Sequence, residues 1–292
     1  MASLKELRNR ITSVTSTRKI TSAMKMVSAA KLKRAQDSIY RIRPYSSKLT
    51  SMVADLTMDA EVFSQLPLAK VSTPKNVTLV IYTANGSLCG AFNSNVLKLA
   101  ESTMAEYQTN YPGVTFSLLV LGKRGYEYFV KRNFDASGPY KSLVDKPNLD
   151  VIGAMTTGLI KSFIADQTQR VEIIYNEFVS AGVQRPKREL ILPFSQKKKT
   201  ESKFNPGYIF EPSIESLLEQ IVPKSLKVKM YSALLESVAA EQGARTTAMH
   251  IATENASELI GVLSLQYNKA RQAAITNEIL EITTGAEAQR AK

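Results

Sequence analysis

The sequence predicts a mixed α/β chain with long helices, in which an antiparallel coiled coil of the N- and C-terminal helices carries a small central α/β domain. Three observations carry that expectation. The first glycine is Gly86 and no proline precedes Pro44, so nothing breaks a helix near the start. Beyond Pro223 there is no further proline, and only Gly243 and Gly261 interrupt an Ala-, Leu-, Glu- and Gln-rich run from Lys224 to Thr284. Between these ends, β-branched apolar runs alternate with amphipathic stretches.

Residues 3–58 read as the first helix. Leu4, Leu7, Ile11 and Val14 repeat at 3/4 spacing, Ile20, Met24 and Val27 resume the pattern, and Ile39, Ile42 and Leu49 extend it. Ser3 with Glu6 forms a capping box, and Pro44 kinks the helix rather than ending it. Asn76–Thr83 and Val114–Leu121 follow as strands of the buried type, each leading through glycine into a helix, at Ala91–Tyr107 and Gly125–Arg132. Leu149–Asp166 is helical, and Arg170–Val179 and Lys187–Phe194 form a hairpin-like pair of strands around Gly182. This order implies a small Rossmann-like α/β domain with right-handed crossovers and leaves the strand order open. Glu211-Pro212-Ser213 signals the start of the last helix. Along it, Leu234, Val238, Ala248, Ala252, Leu259, Val262, Leu263, Tyr267, Ala270, Ala274 and Leu280 form a seam of coiled-coil spacing, with small residues for close approach.

Length decides how the ends are arranged. At the helical rise the two terminal helices are about 80 and 90 Å long, whereas a compact chain of 292 residues has a radius of gyration of about 19 Å. Neither fits inside a globule, so they are expected to pair as a protruding rod. The division that follows is 1–58 with 213–292 as the coiled-coil shaft and 70–212 as the α/β domain.

Composition removes several chemistries. One Cys (Cys89) allows no intrachain disulfide and implies a reducing compartment, and one His (His250) allows neither a Cys/His zinc site nor paired catalytic histidines. No run approaches the roughly 20 apolar residues of a membrane span. The formal charge is +12, and it is uneven: residues 1–60 hold twelve Lys and Arg against four acids. Something acidic should face that segment, and nucleic acid, an anionic membrane and an acidic protein all qualify.

Candidate sites give little catalytic chemistry. Gly86-Ser-Leu-Cys-Gly90 follows a strand and precedes a helix, but no Walker loop or dinucleotide fingerprint is present, and a structural turn is the simpler reading. Cys89 reads as a buried structural thiol and His250 as a non-catalytic helix residue. Lys197, Lys198 and Lys199 lie in a polar loop that is either solvated or in contact with an anionic partner. Glu278 and Glu281 share a helix face, which alone makes no hydrolase site.

Four ordered blocks are nonetheless specific: Leu4–Gln36, Leu88-Cys-Gly-Ala-Phe-Asn93, Leu235-Glu236-Ser237 through Ala248-Met249, and Arg271–Ala288 with Ile275-Thr276, Glu278, Glu281 and Gly285-Ala286. Together they closely resemble the γ subunits of F-type ATP synthases over essentially the whole chain. The resemblance implies a non-catalytic shaft, without cofactor or metal, that turns inside a ring of three α and three β subunits. Its α/β domain would sit against subunit ε and the ring of membrane c subunits. Rotation drives the β-subunit sites through successive conformations, coupling ion flow to ATP synthesis or hydrolysis. The resemblance further implies that Lys19, Met24, Lys25, Lys31, Lys33 and Arg34 pass acidic lever segments of the β subunits. Arg271, Gln272, Thr276 and Glu278 engage loops of the catalytic ring, Arg245 bears on coupling, and Lys197–Lys199 lie towards ε and the c ring. Ala84-Asn85-Gly86-Ser87 departs from the family's Ser-Asp-Arg-Gly, and the cysteine pair of the redox-regulated chloroplast version is missing. The opening resembles bacterial members, which implies a peripheral place on the cytoplasmic side of a bacterial inner membrane, with a mature mitochondrial chain as the alternative. The rival from another class is a basic coiled-coil nucleic-acid-binding protein, which needs a groove-facing basic stripe. A small α/β enzyme is a third reading, weakened by the missing catalytic constellation.

Overall fold

A computed structural model describes residues 3–57, 63, 66–138, 140–195, 211 and 213–290. In chain order these form α1 (Leu4–Leu56), a 3-10 turn (Pro67–Ala69), β1 (Asn76–Tyr82), α2 (Phe92–Asn110), β2 (Thr115–Leu121) and α3 (Lys123–Val130). They continue through β3 (Ala136–Ser137), α4 (Lys141–Asp145), α5 (Leu149–Ile164), β4 (Arg170–Ser180), β5 (Val183–Leu192) and α6 (Ile214–Arg290). No helix among the described residues is long and apolar enough to cross a membrane. The chain divides into two compact units, Ser28–Arg245 and Met1–Val27 with Thr246–Lys292.

The larger unit is built on a five-stranded sheet of order β3-β2-β1-β4-β5, with β3, β2, β1 and β4 parallel and β5 antiparallel to β4. This is the doubly wound order with an antiparallel edge. Alternation along β1 sorts the two faces. Val77, Leu79 and Ile81 pack with Val96, Leu97, Ala100 and Met104 of α2 and Phe129 of α3. Val80 and Tyr82 face the other way, onto Ile152, Ile160 and Phe163 of α5, Val53 and Leu56 of α1, and Leu218, Leu226 and Met230 of α6. The buried Tyr82 hydroxyl donates to the Met230 carbonyl at 3.2 Å, pinning α6 to the sheet centre. On the other face Glu172, with a side chain only 4% exposed, takes Arg188 at 2.5 and 3.0 Å and the Tyr107 hydroxyl at 2.6 Å.

Local chemistry sets most boundaries. Ser3 Oγ accepts the Glu6 N–H at 3.2 Å, Asn148 Oδ1 accepts those of Asp150 and Val151, and Ser213 Oγ accepts that of Ser216, each capping a helix start. Several boundaries differ from those the sequence suggests. The last helix starts at Ile214, directly after the Glu211-Pro212-Ser213 start signal, and runs through Pro223 to Arg290, beyond the 224–284 run; Leu218, Val222 and Leu226, all but fully buried, hold the turn on both sides of the proline. The last strand spans Val183–Leu192 instead of 187–194, ending where Pro193 has no N–H to give. The short β3 and α4 carry no periodic signal and are visible only in the structure.

Within each unit α1 and α6 run antiparallel. In the larger unit Leu32 and Ala35 cluster with Ala239, while Val53, farther along α1, clusters with Leu226, earlier on α6. In the smaller unit Thr253 Oγ1 donates to Thr21 Oγ1 at 2.9 Å, and Lys25 meets His250. The seam matches the expected one at Leu7, Leu49, Leu234 and Leu263 and differs at other positions. On α1 the buried Leu7, Thr21, Ser28, Ala35, Leu49 and Leu56 fall on one seven-residue frame, completed by half-buried Val14 and Ile42, whereas Ile20 and Val27 are 60% and 57% exposed. On α6 beyond Thr246 the buried hydrophobic series is Met249, Ala256 and Leu263, while Leu259, Val262 and Leu280 lie outside it. Seven-residue spacing keeps one narrow stripe facing the partner helix, and small hydroxyl residues occupy that stripe where the apolar pattern pointed to its neighbours.

Candidate functional site

The residues singled out in the sequence fall along the two terminal helices. In the smaller unit, α1 from Leu4 to Val27 carries six Lys and Arg against one Glu, and Lys19 is exposed while Met24 and Lys25 are half-buried. On α6, Arg271, Gln272, Thr276 and Glu278 are all exposed, and Thr276 Oγ1 donates back to the Gln272 carbonyl at 2.9 Å. They lie about 30 Å farther along α6 than His250, the residue that meets Lys25, at the helical rise. The structure therefore places these two sets at different levels of the helix pair.

Around the second set the surface is apolar. Ile275, Ile279, Leu280 and Ile282 are 47%, 55%, 57% and 70% exposed. Ile275, Ile279 and Ile282 follow 4- and 3-residue spacing and share a face. Beside Lys19 and Lys25, Ile20, Met26 and Val27 are exposed as well. Contiguous exposed aliphatic surface of this kind marks an interaction site. The pattern is one of cations and aliphatics turned outward, with no nucleophile or paired general acid and base among them.

In the larger unit Lys31, Lys33 and Arg34 are exposed, and Lys33 pairs with Asp37 at 3.2 Å on the same helix, a contact worth little in water. Arg245 behaves differently. Its side chain is 13% exposed, and its guanidinium lies 2.6 Å from Glu241 Oε1 and donates through Nη1 to the Ser87 carbonyl. It covers Gly86, where an added Cβ would stand 3.5 Å from Nη2. Burial pushes the Glu241 carboxyl above its ordinary value, and the hydrogen bond and charge of Arg245 pull it back.

That contact explains how the β1–α2 turn is held. Asn93 Oδ1 accepts the Ala84 N–H at 2.9 Å, and its Nδ2 donates to the Gly86 carbonyl at 3.3 Å. Asn85 Oδ1 accepts from the Lys123 N–H at 3.1 Å and its Nδ2 donates to the Lys141 carbonyl at 3.0 Å. The segment Ala84–Ser87 is thus a structural strand-to-helix turn. Cys89 is buried among Ala84, Phe92, Ala240 and Ala244, and burial raises its thiol, which disfavours the reactive thiolate. Sequence reasoning gave Arg245 a role but missed its partners, because an Arg four residues after a Glu on a helix looks like any solvent-exposed pair. Lys197, Lys198 and Lys199 lie outside the described residues.

Comparison with known proteins gives these helices a context. The family profile described as ATP synthase matches residues 3–289. The chain is 45% identical over 291 residues to the ATP synthase gamma chain of Flavobacterium johnsoniae, and 43% identical over 292 residues to that of Bacteroides fragilis. The first match covers 99% of both chains, the second 99% of this chain and 100% of the other. Among solved structures, the central stalk and c-ring of Tetrahymena thermophila mitochondrial ATP synthase contains a chain similar at TM-score 0.58 and 24% identity, covering 80% of this chain and 99% of that one. A chain of the Euglena gracilis mitochondrial ATP synthase rotor is similar at TM-score 0.62 and 16% identity, covering 93% and 98%. These structural likenesses show a shared fold of sheet and long terminal helices.

Proposed function

The chain belongs to the ATP synthase γ family and is a central-stalk component of a rotary ATPase complex, and we propose that it works there as a shaft with no catalytic groups of its own. In this reading residues 1–58 and 213–292 are the shaft and 70–212 the domain that takes up torque. The shaft turns inside a ring of three α and three β subunits, while the α/β domain bears on subunit ε and the c ring, with Lys197–Lys199 on that side. The complex is peripheral to a bacterial inner membrane on its cytoplasmic face.

The observation that carries the reading is the outward apolar surface of the paired helices. Ile275, Ile279 and Ile282 are exposed on one face of α6, and leaving such residues in water forgoes up to roughly 1.5–3 kcal/mol each. A surrounding ring of subunits would cover them. Arg271, Gln272, Thr276 and Glu278 flank that face as polar contacts. Lys19, Lys25, Lys31, Lys33 and Arg34 give α1 a positive surface towards acidic segments of the β subunits, with Met24 among them. Arg245 acts one step back, holding the β1–α2 turn against α6.

The mechanism follows from asymmetry. Two unlike helices present different surfaces at successive angles, so each β-subunit site meets a different set of contacts as the shaft turns. Each angle thereby favours one conformation of that site over another. Coupling then depends on the stiffness of the shaft and on contacts loose enough to break at every step. Affinity purification of the full-length chain with mass spectrometry of what accompanies it tests the reading. Recovery with α, β, ε and c subunits is expected. Retention of nucleic acid at physiological salt with no ring subunits would overturn it in favour of the basic nucleic-acid-binding alternative.

A further inference from the structure

Within the larger unit a cavity of about 200 Å³ opens between α1 and α6, lined by Ile39, Ile42, Arg43 and Ser46 on the first helix and by Ser232 and Glu236 on the second. Ser232 and Glu236 are four residues apart and so share a helix face. Both Ser232 Oγ and Glu236 Oε2 are buried, and neither has a hydrogen-bond partner within the protein. A buried acceptor without a donor is disfavoured, a carboxylate more than a hydroxyl. The cations nearby are engaged elsewhere. Lys187 lies 2.6 Å from Glu177 and 3.0 Å from Glu189, and the exposed Arg43 holds its guanidinium over the Tyr40 ring, 5.7 Å from its centre. Burial pushes the Glu236 carboxyl above its ordinary value, Glu177 and Glu189 push the same way, and Lys187 and Arg43 pull against them.

We propose that this cavity binds a small aliphatic amine, with its ammonium group on Glu236 and Ser232 and its methylenes against Ile39 and Ile42. An ammonium carries three donors and no acceptor, which answers a wall made of a carboxylate oxygen and serine hydroxyls. A hydrogen bond to an ionised carboxylate is about twice as strong as one between neutral groups. The isoleucines offer nothing to a second polar end, so the lining selects a molecule with one charged end and a short alkyl chain. Such a mixture of aliphatic wall and a few converging polar groups is the usual make-up of a small-molecule site. Arg43 is the competing cation supplied by the chain itself, since it lines the same cavity and faces the same carboxylate. Every residue of the site lies in the unit Ser28–Arg245, and the inference does not rest on the stalk reading.

Titration of the full-length chain with n-butylammonium, read by calorimetry and by the methyl NMR signals of Ile39 and Ile42, tests the site. Saturable binding that shifts both sets of methyl signals is expected. Two further probes separate the contributions: n-butanol keeps the alkyl chain without the charge, and tetramethylammonium keeps the charge without an N–H. Each should bind about tenfold or more weakly than n-butylammonium. Because the three probes are compared on the unsubstituted chain, that result stands whatever a substitution does to folding. Glu236→Gln keeps the shape of the side chain and removes its charge, and should weaken binding about tenfold. Arg43→Met removes the competing guanidinium and should tighten binding about two- to fivefold. Equal affinity for n-butanol or tetramethylammonium would overturn the proposal, as would undiminished affinity in Glu236→Gln. The absence of saturable binding would overturn it too, and would leave the cavity to water.

Discussion

Replacing Arg245 by Ala tests how the β1–α2 turn and α6 are held together. The substitution removes a hydrogen bond to the Ser87 carbonyl and strands Glu241, whose side chain is 9% exposed. Breaking a buried ion pair by deleting one partner costs about 3–5 kcal/mol. Both groups lie one turn apart near the rim of the unit, so the lower end applies, about 3 kcal/mol. In a unit of this size each kcal/mol moves the melting temperature by about 2–4 °C, which gives a fall of about 6–12 °C.

The pH dependence separates this explanation from simple loss of packing. Burial already raises the Glu241 carboxyl, and Arg245 is the main group that offsets it. Without Arg245 the folded-state value rises further. A carboxyl raised by folding loses no stability below its unfolded value, about 4.3, and loses it progressively as pH climbs through the folded value. The Arg245→Ala deficit should therefore be larger at about pH 8 than at about pH 5. Adding Glu241→Gln removes the charge that was left unpaired and should recover about half of the loss at the higher pH. Thermal and urea unfolding of the full-length variants, followed by circular dichroism, give the numbers. Equal stability of Arg245→Ala and Arg245→Ala/Glu241→Gln at both pH values would refute the reasoning.

Gly122 has φ near 99° and an added Cβ would fall 2.1 Å from the Thr83 carbonyl oxygen, so Gly122→Ala should destabilise the sheet unit by more than about 1–3 kcal/mol in the same unfolding assay. Burial works against the Glu189 carboxylate, yet Lys187, Lys229 and the Tyr175 hydroxyl outweigh it and lower its pKa to about 2. That stabilisation is present above the unfolded value and is lost as pH falls towards about 2, so Glu189→Gln should flatten the acid limb of the stability profile below about pH 4. On the proposal that Met24 faces the surrounding ring, Met24→Lys adds charge at that contact and should impair ATP-driven ion pumping in membrane vesicles more than it lowers ATPase turnover. Unchanged pumping would count against that contact. Ile279→Asp should leave the unfolding of the isolated chain within about 0.5 kcal/mol of wild type, because the side chain is already in water, while weakening co-purification with the ring.

How far the fold was legible depended on what each residue had to do. β1 and β2 are covered on both faces, so their β-branched runs stand out, and β5 was found through Gly182 even though its ends shifted. α1 and α6 were announced by missing glycine and proline. The two residues of β3 are too few to show any period, and the parallel order of the sheet rests on contacts between Leu118 and Ala136 or Val80 and Ile173, which no local pattern encodes. Arg245 and His250 had visible identities and invisible partners, since Ser87 and Lys25 lie far from them in sequence. Family resemblance is the sole source of the roles proposed for Lys19, Arg271 and Thr276, which neither their exposure nor their contacts within the chain would suggest.

The misplaced seam has a physical reason that bears on function. Reading apolar residues as the inside assumes that a chain buries its own aliphatics, and on α1 that assumption selects Ile20 and Val27. The structure turns both outward and gives the inner stripe to Thr21 and Ser28, which are 9% and 3% exposed. Small hydroxyl residues let two helix backbones approach closely and can bond across the seam, as Thr21 and Thr253 do. What they cannot supply is much apolar burial, so pairing of this stretch gains little from the hydrophobic effect alone. A helix pair that withholds its aliphatics from its own seam and shows them outside is organised for a second layer of contact, with a partner that encloses it. Ile20, Met26 and Val27 at one level and Ile275, Ile279 and Ile282 at another are therefore most economically understood together, as surfaces whose burial is completed by assembly instead of folding.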